Sequence, residues 1–436
     1  MFKVRGNRME AKSKIGPPTE SMGLAPGLKT FLALQAALIV LCFASELFCH
    51  YVLHLGAPFD YPLKARDQNH FDFVGYWTNF EYFRRPRFFT NGPPFLYPAP
   101  LAIAYWAFYA IPHHQLRLFL GFILASFLVA GCLLGRALVR RGVGLIETTY
   151  FIGLSLAFAY PVWFEFKQGN IEICVWVVVA LGMWALFRQR TYTAAACFGV
   201  AGAMKFFPLV YLGLLLSRRR YRETMFAVGV DVFTTLVSVW FIGPNFIATW
   251  RQINSGLDEF RTTYMLHLRL DEIGFDHSLF GLYKRLSPQL PPMPALSRIL
   301  TLYLAAAAAT GVALYLFRIR KLPLVNQVLC LCIGSILLPP VSYDYTLMHL
   351  YIPWALLVLF AQPMRVHRVT VPGLTAAFVC LAVLVSPETE FIYHRIVFGG
   401  QIKAVVLIVL MGIGLRYPFS DEAAASYSPS FFTSSL

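Results

Sequence analysis

The feature that most constrains this chain is a series of apolar stretches, each roughly 17–25 residues long, that recurs from residue 29 to residue 416. Each stretch is long enough to cross about 30 Å of hydrocarbon as a helix. Backbone groups in lipid need internal partners, so a crossing segment is either a helix or part of a closed barrel. The stretches are continuously apolar and do not alternate, which predicts helices. The sequence therefore predicts an all-α integral membrane protein.

Composition supports a polytopic helical bundle. Of the 436 residues, 58% are hydrophobic and 14% charged, and the mean hydropathy is +0.59. Soluble domains average about 45–50% apolar and about 25% charged residues. We predict about 11–13 transmembrane helices, near residues 29–50, 96–112, 116–138, 145–164, 170–187, 192–216, 223–243, 296–317, 324–338, 346–361, 369–387 and 400–416.

The predicted domain organisation has three parts. Residues 1–28 are polar and basic and are expected to form a cytoplasmic tail ahead of a signal anchor, residues 29–417 the transmembrane domain, and residues 418–436 a disordered tail. Two connectors are long, residues 51–95 and residues 244–295, and both are predicted to be extracytoplasmic loops that carry short interfacial helices. Two long loops on one face indicate a working surface there.

Basic residues orient the chain. The net charge of +15 fits the cytoplasmic surplus of Lys and Arg in membrane proteins, and the scattered charges form no nucleic-acid reader. The run Arg218-Arg219-Arg220 falls inside in the predicted order, but Arg140, Arg141, Arg188 and Arg190 fall outside. One span is therefore expected to be broken. The best candidate is 192–216, because Lys205 and Pro208 interrupt its apolar run.

The first long loop carries an acidic residue beside the predicted membrane surface. Its aromatic, acidic and basic side chains include Asp72, Tyr76, Trp77, Asn79, Phe80, Arg84 and Arg85. On an interfacial helix, Asp72, Tyr76, Asn79 and Phe80 would share a face, because steps of three and four residues lie on one side. Asp72 is then either a catalytic carboxylate or a surface carboxylate paired with an arginine.

Polar residues at membrane depth gather in further segments, and each needs a partner or a function because burial in lipid is costly. These segments are Gln168-Gly169-Asn170 with Glu165 and Glu172, Lys205 within its apolar run, Ser342-Tyr343-Asp344-Tyr345 with His349, and Asp276-His277-Ser278 in the second long loop. Lys205 fits a phosphate, or a pairing with Glu165, Glu172 or Asp231. Glu172 fits an exposed Lys–Glu pair or a substrate contact, and His349 is either a core histidine or a ligand.

Several motifs are missing from the sequence. It contains no Walker lysine loop, no GxGxxG before a helix, no HExxH and no GxSxG. It also leaves no room for a soluble domain that would hold a nucleotide sugar. Any chemistry is therefore expected to use a substrate that is already in the membrane, with no cofactor and no metal.

In their order along the chain, these segments resemble the GT-C class of membrane glycosyltransferases, and within it glycosyltransferase family 87. The resemblance rests on Asp72-Phe73-Val74-Gly75-Tyr76-Trp77, Tyr97-Pro98, Gln168-Gly169-Asn170, Lys205-Phe206-Phe207-Pro208 with the basic run from Arg218, Ser278-Leu279-Phe280-Gly281 and Ser342-Tyr343-Asp344-Tyr345. It covers roughly residues 30 to 360.

The resemblance implies a polyprenyl-phosphate sugar donor, usually mannose, a glycolipid or glycan acceptor, and a site on the extracytoplasmic face of the plasma membrane. It implies that Asp72 is the general base of an inverting transfer. The residues expected to hold the donor phosphate are Arg84, Arg85, Lys205 and His349. Those expected to contact substrate are Tyr76, Trp77, Gln168, Asn170, Glu172, His277, Ser278, Tyr343 and Asp344.

The main alternative is a transporter or flippase for a lipid or sugar. Many transporters show internal symmetry, with interrupted helices in matching halves. In this sequence the two long loops share a predicted face and no halves align, which favours the enzyme.

Overall fold

A computed structural model describes residues 23–54, 71–89, 95–268, 273–287, 289–366, 373–386, 392–393 and 396–419. Most of residues 1–28 and 418–436, the two predicted tails, lie outside these ranges. The described residues form an all-α, multi-pass bundle, as predicted. The small exception is an antiparallel pair of two-residue strands, β1 (Ile392–Tyr393) and β2 (Ile396–Val397).

The first half of the chain forms α1 (Pro26–Leu47), α2 (Phe71–Gly75), α3 (Trp77–Phe80), α4 (Ala99–Tyr109), α5 (Gln115–Arg140), α6 (Leu145–Ala157), α7 (Tyr160–Gln168), α8 (Glu172–Phe187), α9 (Thr191–Met204) and α10 (Leu212–Ser217). Shorter π or 3-10 turns cover Phe48–Val52, Pro86–Phe89 and Phe207–Tyr211. Helix α1 begins at a proline, whose fixed φ and missing N–H suit the first helical turn.

The second half forms α11 (Tyr221–Ile242), α12 (Phe246–Phe260), α13 (Leu279–Leu286), α14 (Met293–Phe317), α15 (Leu324–Leu337), α16 (Tyr351–Val366), α17 (Leu374–Leu384) and α18 (Gly399–Arg416). Shorter turns cover Arg261–Met265, Ile273–Phe275, Ile319–Lys321 and Asp344–Leu350. The second long connector therefore carries α12 and α13, and the first carries α2 and α3, as the sequence predicted.

Contacts between helix termini define two ends of the bundle. At one end, hydrogen bonds join helix termini. The Leu24 N–H donates to Glu147 Oε1 (2.7 Å), and Thr191 Oγ1 donates to Glu223 Oε1 (3.0 Å). Ser217 Oγ donates to Gln327 Oε1 (2.8 Å), and the Arg318 guanidinium donates to Leu415 O (2.6 Å). We call this the basic end. The opposite end carries the short helices α2, α3, α12 and α13, and we call it the loop end.

By length and hydropathy, six described helices could each cross a membrane, or seven if α6 and α7 count as one span bent by 45°. This is fewer than the predicted 11–13. The other predicted spans correspond to shorter apolar helices of 10–17 residues. These helices are too short to meet the length criterion for a span on their own. The bend in the α6–α7 pair falls just before Pro161, whose ring cannot continue the preceding helix.

The predicted span 96–112 is wrong. Helix α4 has 11 residues and is roughly 16 Å long, about half of the hydrocarbon thickness. Residues at both ends of α4 form hydrogen bonds near α2. Before the helix, the Tyr97 hydroxyl accepts from the same Asn170 amide that donates to Asp72, and at its end the Tyr109 hydroxyl donates to Phe73 O. The helix therefore starts and finishes near α2 and does not cross the bundle.

The predicted break within 192–216 is confirmed. Helix α9 ends at Met204, Lys205 is extended with φ −150° and ψ 146°, and a 3-10 turn starts at Phe207. The chain folds back there, because Phe198 packs against Tyr211 (5.8 Å between ring centroids) and Gly202 lies directly against Leu209. This hairpin brings Arg188 and Arg190 to the same end as Arg218–Arg220, which removes the conflict that these two residues posed for the predicted orientation.

Candidate functional site

Asp72 lies in the first turn of α2 at the loop end. Its neighbour Phe73 is fully buried, with its ring stacked on Tyr109 (4.6 Å) and Phe119 (4.7 Å). Tyr76, Asn79 and Phe80, which were predicted to share a helix face with Asp72, are buried as well, although the segment forms two short helices interrupted at Tyr76. This aromatic packing fixes α2 on the bundle and leaves the Asp72 side chain half-buried.

Asn170 connects Asp72 to the bundle. Its Nδ2 donates to Asp72 Oδ2 (2.6 Å) and to the Tyr97 hydroxyl (3.1 Å), and its Oδ1 accepts the N–H of Glu172 at the start of α8 (2.8 Å). Gly169 precedes it with φ +62°, a left-handed conformation that suits glycine at the end of a helix. The turn between α7 and α8 thus presents Asn170 to Asp72 while capping α8, as its composition predicted.

Glu172, Lys205 and His349 form a second part of the site, which we call the site triad. Lys205 Nζ pairs with Glu172 Oε2, and His349 Nε2 lies 2.7 Å from Glu172 Oε1. Glu172 is therefore the partner of Lys205, and the alternative of an exposed Lys–Glu pair is wrong because Glu172 is fully buried. Lys205 keeps 16% of its side-chain surface exposed, and His349 none.

Tyrosines line the space between Asp72 and the site triad. Lys205 Nζ lies 5.7 Å from the Tyr97 ring centroid and 5.1 Å from that of Tyr345, within range of cation–π attraction. Burial raises the pKa of the Tyr97 hydroxyl well above its ordinary value, and the charge of Asp72 raises it further; the same causes act on the pKa of Tyr76. Both hydroxyls are therefore protonated near neutral pH.

His277, Asp344 and Lys403 form a separate group, which we call the core triad. Asp344 Oδ1 lies 3.2 Å from His277 Nδ1 and 3.6 Å from Lys403 Nζ, and none of the three side chains is exposed. Tyr343 pairs with Asp276 in an isolated bridge, and Ser278 caps α13 through the N–H of Gly281 (2.8 Å). These predicted substrate residues thus tie the second loop to the bundle.

The remaining predicted residues lie at the edge of the site or away from it. The Arg84 guanidinium lies 5.2 Å from the Phe241 ring centroid, and both Arg84 and Arg85 are exposed. Within the described residues, neither arginine contacts Asp72 or Lys205. Trp77 is 37% exposed and packs edge-on against Tyr109, and Gln168 is the last residue of α7.

The prediction missed Lys403 and undervalued Glu165. Lys403 lies fully buried in the second turn of α18, 4.0 Å from the Tyr160 ring centroid. In the sequence, a lysine near the start of an apolar helix looks like an exposed charge at the helix terminus. Only the fold shows that the Lys403 side chain is fully buried. Glu165 is also fully buried, and its Oε1 accepts the N–H of Ile173 (3.3 Å). The position of Glu165 one turn before Gly169 was the only indication in the sequence that this carboxylate lies close to the turn that carries Asn170.

This arrangement can perform acid–base chemistry beside an anion. A half-buried carboxylate held by an amide can accept a proton, and a partly exposed ammonium across Tyr97 can hold a negative oxygen. Within the described residues, no three His, Cys, Asp or Glu side chains group as metal ligands.

Comparison with known proteins gives the family. The model of glycosyltransferase family 87 matches residues 95–340, more than half of the chain. A polyprenol-phosphate-mannose-dependent alpha-(1-2)-phosphatidylinositol pentamannoside mannosyltransferase of Mycobacterium tuberculosis (strain CDC 1551 / Oshkosh) is 24% identical over 155 residues, 34% of this chain and 34% of that protein. The match thus spans about a third of the relative, and no solved structure matches. The chain belongs to glycosyltransferase family 87, and its apolar helices make it a multi-pass membrane protein.

Proposed function

We propose that the protein transfers a sugar, mannose in the first instance, from a polyprenyl-phosphate donor to a hydroxyl of a glycolipid or glycan. The name of the mycobacterial relative describes a mannosyltransferase that depends on polyprenol-phosphate-mannose and refers to a phosphatidylinositol pentamannoside. The observation that carries the proposal is the convergence of Asp72, Asn170 and Lys205 around Tyr97. A base and a cation placed together in this way suit a glycosyl transfer in which a phosphate is the leaving group.

In the proposed step, Asp72 accepts the proton of the acceptor hydroxyl while that oxygen attacks the anomeric carbon. The bond from the anomeric carbon to the phosphate oxygen breaks, and its electron pair leaves with the polyprenyl phosphate. Lys205 balances the charge that develops on the phosphate. Attack opposite the leaving phosphate gives a product of inverted anomeric configuration.

The site triad refines the roles expected from the sequence. Lys205 is the member with exposed surface, so it is the proposed phosphate contact. His349 lies behind Glu172 and has no exposed surface. We therefore assign His349 the role of positioning Glu172 and, through it, Lys205, in place of direct phosphate contact.

The proposed location of the site is the extracytoplasmic face of the plasma membrane. Support comes from the grouping of arginines at the basic end, among them Arg140, Arg141, Arg188, Arg190, Arg218, Arg219, Arg220, Arg222, Arg318 and Arg320. Basic residues accumulate on the cytoplasmic side of membrane proteins. The loop end, with Asp72, would then face outward.

The proposal is tested by incubating the purified protein with polyprenyl-phosphate-mannose and a phosphatidylinositol mannoside acceptor. We expect release of polyprenyl phosphate that depends on the acceptor, and a mannoside product whose anomeric configuration, determined by NMR, is inverted relative to the donor. A parallel panel of other polyprenyl-phosphate sugars tests the choice of mannose. A product of retained configuration, or donor use without any acceptor product, would contradict the proposed step.

A further inference from the structure

An apolar groove lies between α5, α8 and α16, and none of the site residues lines it. It encloses about 190 Å³, and its walls include Phe127, Leu134, Trp176, Met183 and Leu356. Along each of these helices the lining residues continue toward the basic end, as Leu134, Phe187 and Leu359 do. Trp184 also lines the groove and is 38% exposed, so the groove reaches the lipid-facing surface.

Three arginines surround the basic end of this groove. Arg141 Nη1 donates to the backbone oxygen of Leu359, a lining residue, at 2.6 Å. The guanidinium groups of Arg188 and Arg190 each lie 5.7 Å from the ring centroid of Trp184. Positively charged side chains therefore contact lining residues of the groove from both α16 and α8 at the basic end.

We propose that this groove binds an anionic phospholipid, with one acyl chain between α5, α8 and α16 and the phosphate at Arg141, Arg188 and Arg190. Apolar walls favour a hydrocarbon chain, and guanidinium groups bind phosphate oxygens in two-pronged geometry. Basic pockets between transmembrane helices are suited to anionic headgroups. A zwitterionic lipid of the same chains lacks the net charge that the arginines favour.

This site is independent of the proposed sugar transfer. Neither Asp72 nor Lys205 lines the groove, and Arg188 and Arg190 follow the C-terminal end of α8, whereas Asn170, the partner of Asp72, precedes its first residue. Loss of lipid at the groove would leave the proposed proton transfer at Asp72 intact, and an inactive site would leave the lipid bound.

The test measures lipid binding to the detergent-purified full chain by native mass spectrometry. Phosphatidylglycerol and phosphatidylcholine with identical acyl chains are titrated in parallel. We expect phosphatidylglycerol to bind about tenfold more tightly or better, since each basic residue near an anionic headgroup contributes roughly fivefold in affinity. Equal binding of the two lipids would overturn the proposal.

Variants separate this groove from general surface charge. The double variant Arg188→Gln/Arg190→Gln should lose most of the preference for phosphatidylglycerol, and Arg188→Lys/Arg190→Lys should keep much of it. The control Arg219→Gln/Arg222→Gln removes two exposed charges at the same end and should bind as the wild type does. Equal losses in the control and in the Arg188/Arg190 glutamine variant would assign the preference to surface charge alone and overturn the site.

A second variant tests the acyl-chain part and keeps every arginine. Ala180 lines the groove and is half-buried, so Ala180→Phe places a ring where the chain would lie. We expect phosphatidylglycerol binding to weaken by about tenfold or more, because the acyl chain would lose the apolar contacts of several CH₂ groups. Unchanged binding in Ala180→Phe would show that no acyl chain enters the groove.

Discussion

The site triad and the core triad are built from the same residue types, a carboxylate held by a lysine and a histidine. In the site triad, Lys205 is 16% exposed and lies between two tyrosines beside Asp72. In the core triad, Lys403, Asp344 and His277 have no exposed surface. The two triads therefore cannot be distinguished by residue type. They differ in solvent access and in the presence of a neighbouring carboxylate, and this difference is the reason for proposing Lys205, and not Lys403, as a substrate contact.

Replacing each lysine by alanine gives the largest contrast. Lys403→Ala should lower the free energy of unfolding by about 3–5 kcal/mol, because it leaves Asp344 buried without its cation. Lys205→Ala also removes the cation beside a buried carboxylate, Glu172, and should destabilise the fold, but in addition it should lower donor kcat/KM by about 10–100-fold through loss of a charged contact worth about 1.5–3 kcal/mol. Thermal unfolding in detergent and donor titrations at fixed acceptor measure the two effects on both variants.

The distinction between the two lysines would be wrong if both variants changed donor kinetics to the same extent. Lys205→Ala is expected to raise the KM for donor more than that for acceptor, and the folded fraction of Lys403→Ala is expected to use donor as the wild type does. Unchanged donor kinetics in Lys205→Ala would make Lys205 a structural residue like Lys403.

Replacing the histidine of each triad tests the same distinction, with smaller expected effects on stability and activity. His277 Nε2 contacts Thr346 Oγ1 and Ser342 Oγ (both 3.1 Å), so His277→Gln loses a two-sided bridge and should cost about 1–3 kcal/mol in unfolding free energy. His349→Gln keeps one donor for Glu172 and should lower kcat/KM by about tenfold with less effect on unfolding. A larger unfolding effect for His349→Gln than for His277→Gln would reverse the assigned roles.

Asp276 gives the smallest expected effect, on the pH dependence of stability. Burial raises the pKa of Asp276 above its ordinary value of 3.8, so above 3.8 the folded protein retains a proton that the unfolded chain releases. Stability therefore falls as pH rises through the interval from 3.8 to the raised pKa. Asp276→Asn keeps an acceptor for the N–H groups of Ser278 and Ser342 (3.0 Å each) and should remove this slope in thermal unfolding curves.

Local sequence patterns predicted much of the fold and two of the turns that position the candidate site. The break at Lys205 and Pro208 was predictable because a lysine and a proline are each costly inside an apolar helix. The turn at Gly169 and Asn170 was predictable from its capping residues. Helix α4 was mistaken for a span because buried aromatic residues and lipid-facing residues have the same apolar composition.

Long-range pairing lay beyond the sequence. Asp344 meets Lys403 and His277, residues that are 59 and 67 positions away along the chain and that no helical period relates. The partners of Asp344 and of His349 were likewise not predictable from the sequence. Arg84 and Arg85 were expected at the phosphate because they follow Asp72 closely in sequence, and the turn after α3 places Arg84 beside Phe241.

The central claim, that Asp72 acts in the chemical step, is tested most directly by donor binding and single-turnover transfer in one preparation of Asp72→Asn. Asparagine keeps an oxygen for the Asn170 amide, so folding and the Kd for donor should match the wild type, while sugar transfer should slow by about 100–10,000-fold. Glu81→Gln, an exposed carboxylate change on the same segment, is the matched control and should transfer at the wild-type rate. Donor bound without transfer is the predicted result, and transfer at the wild-type rate in Asp72→Asn would contradict the account.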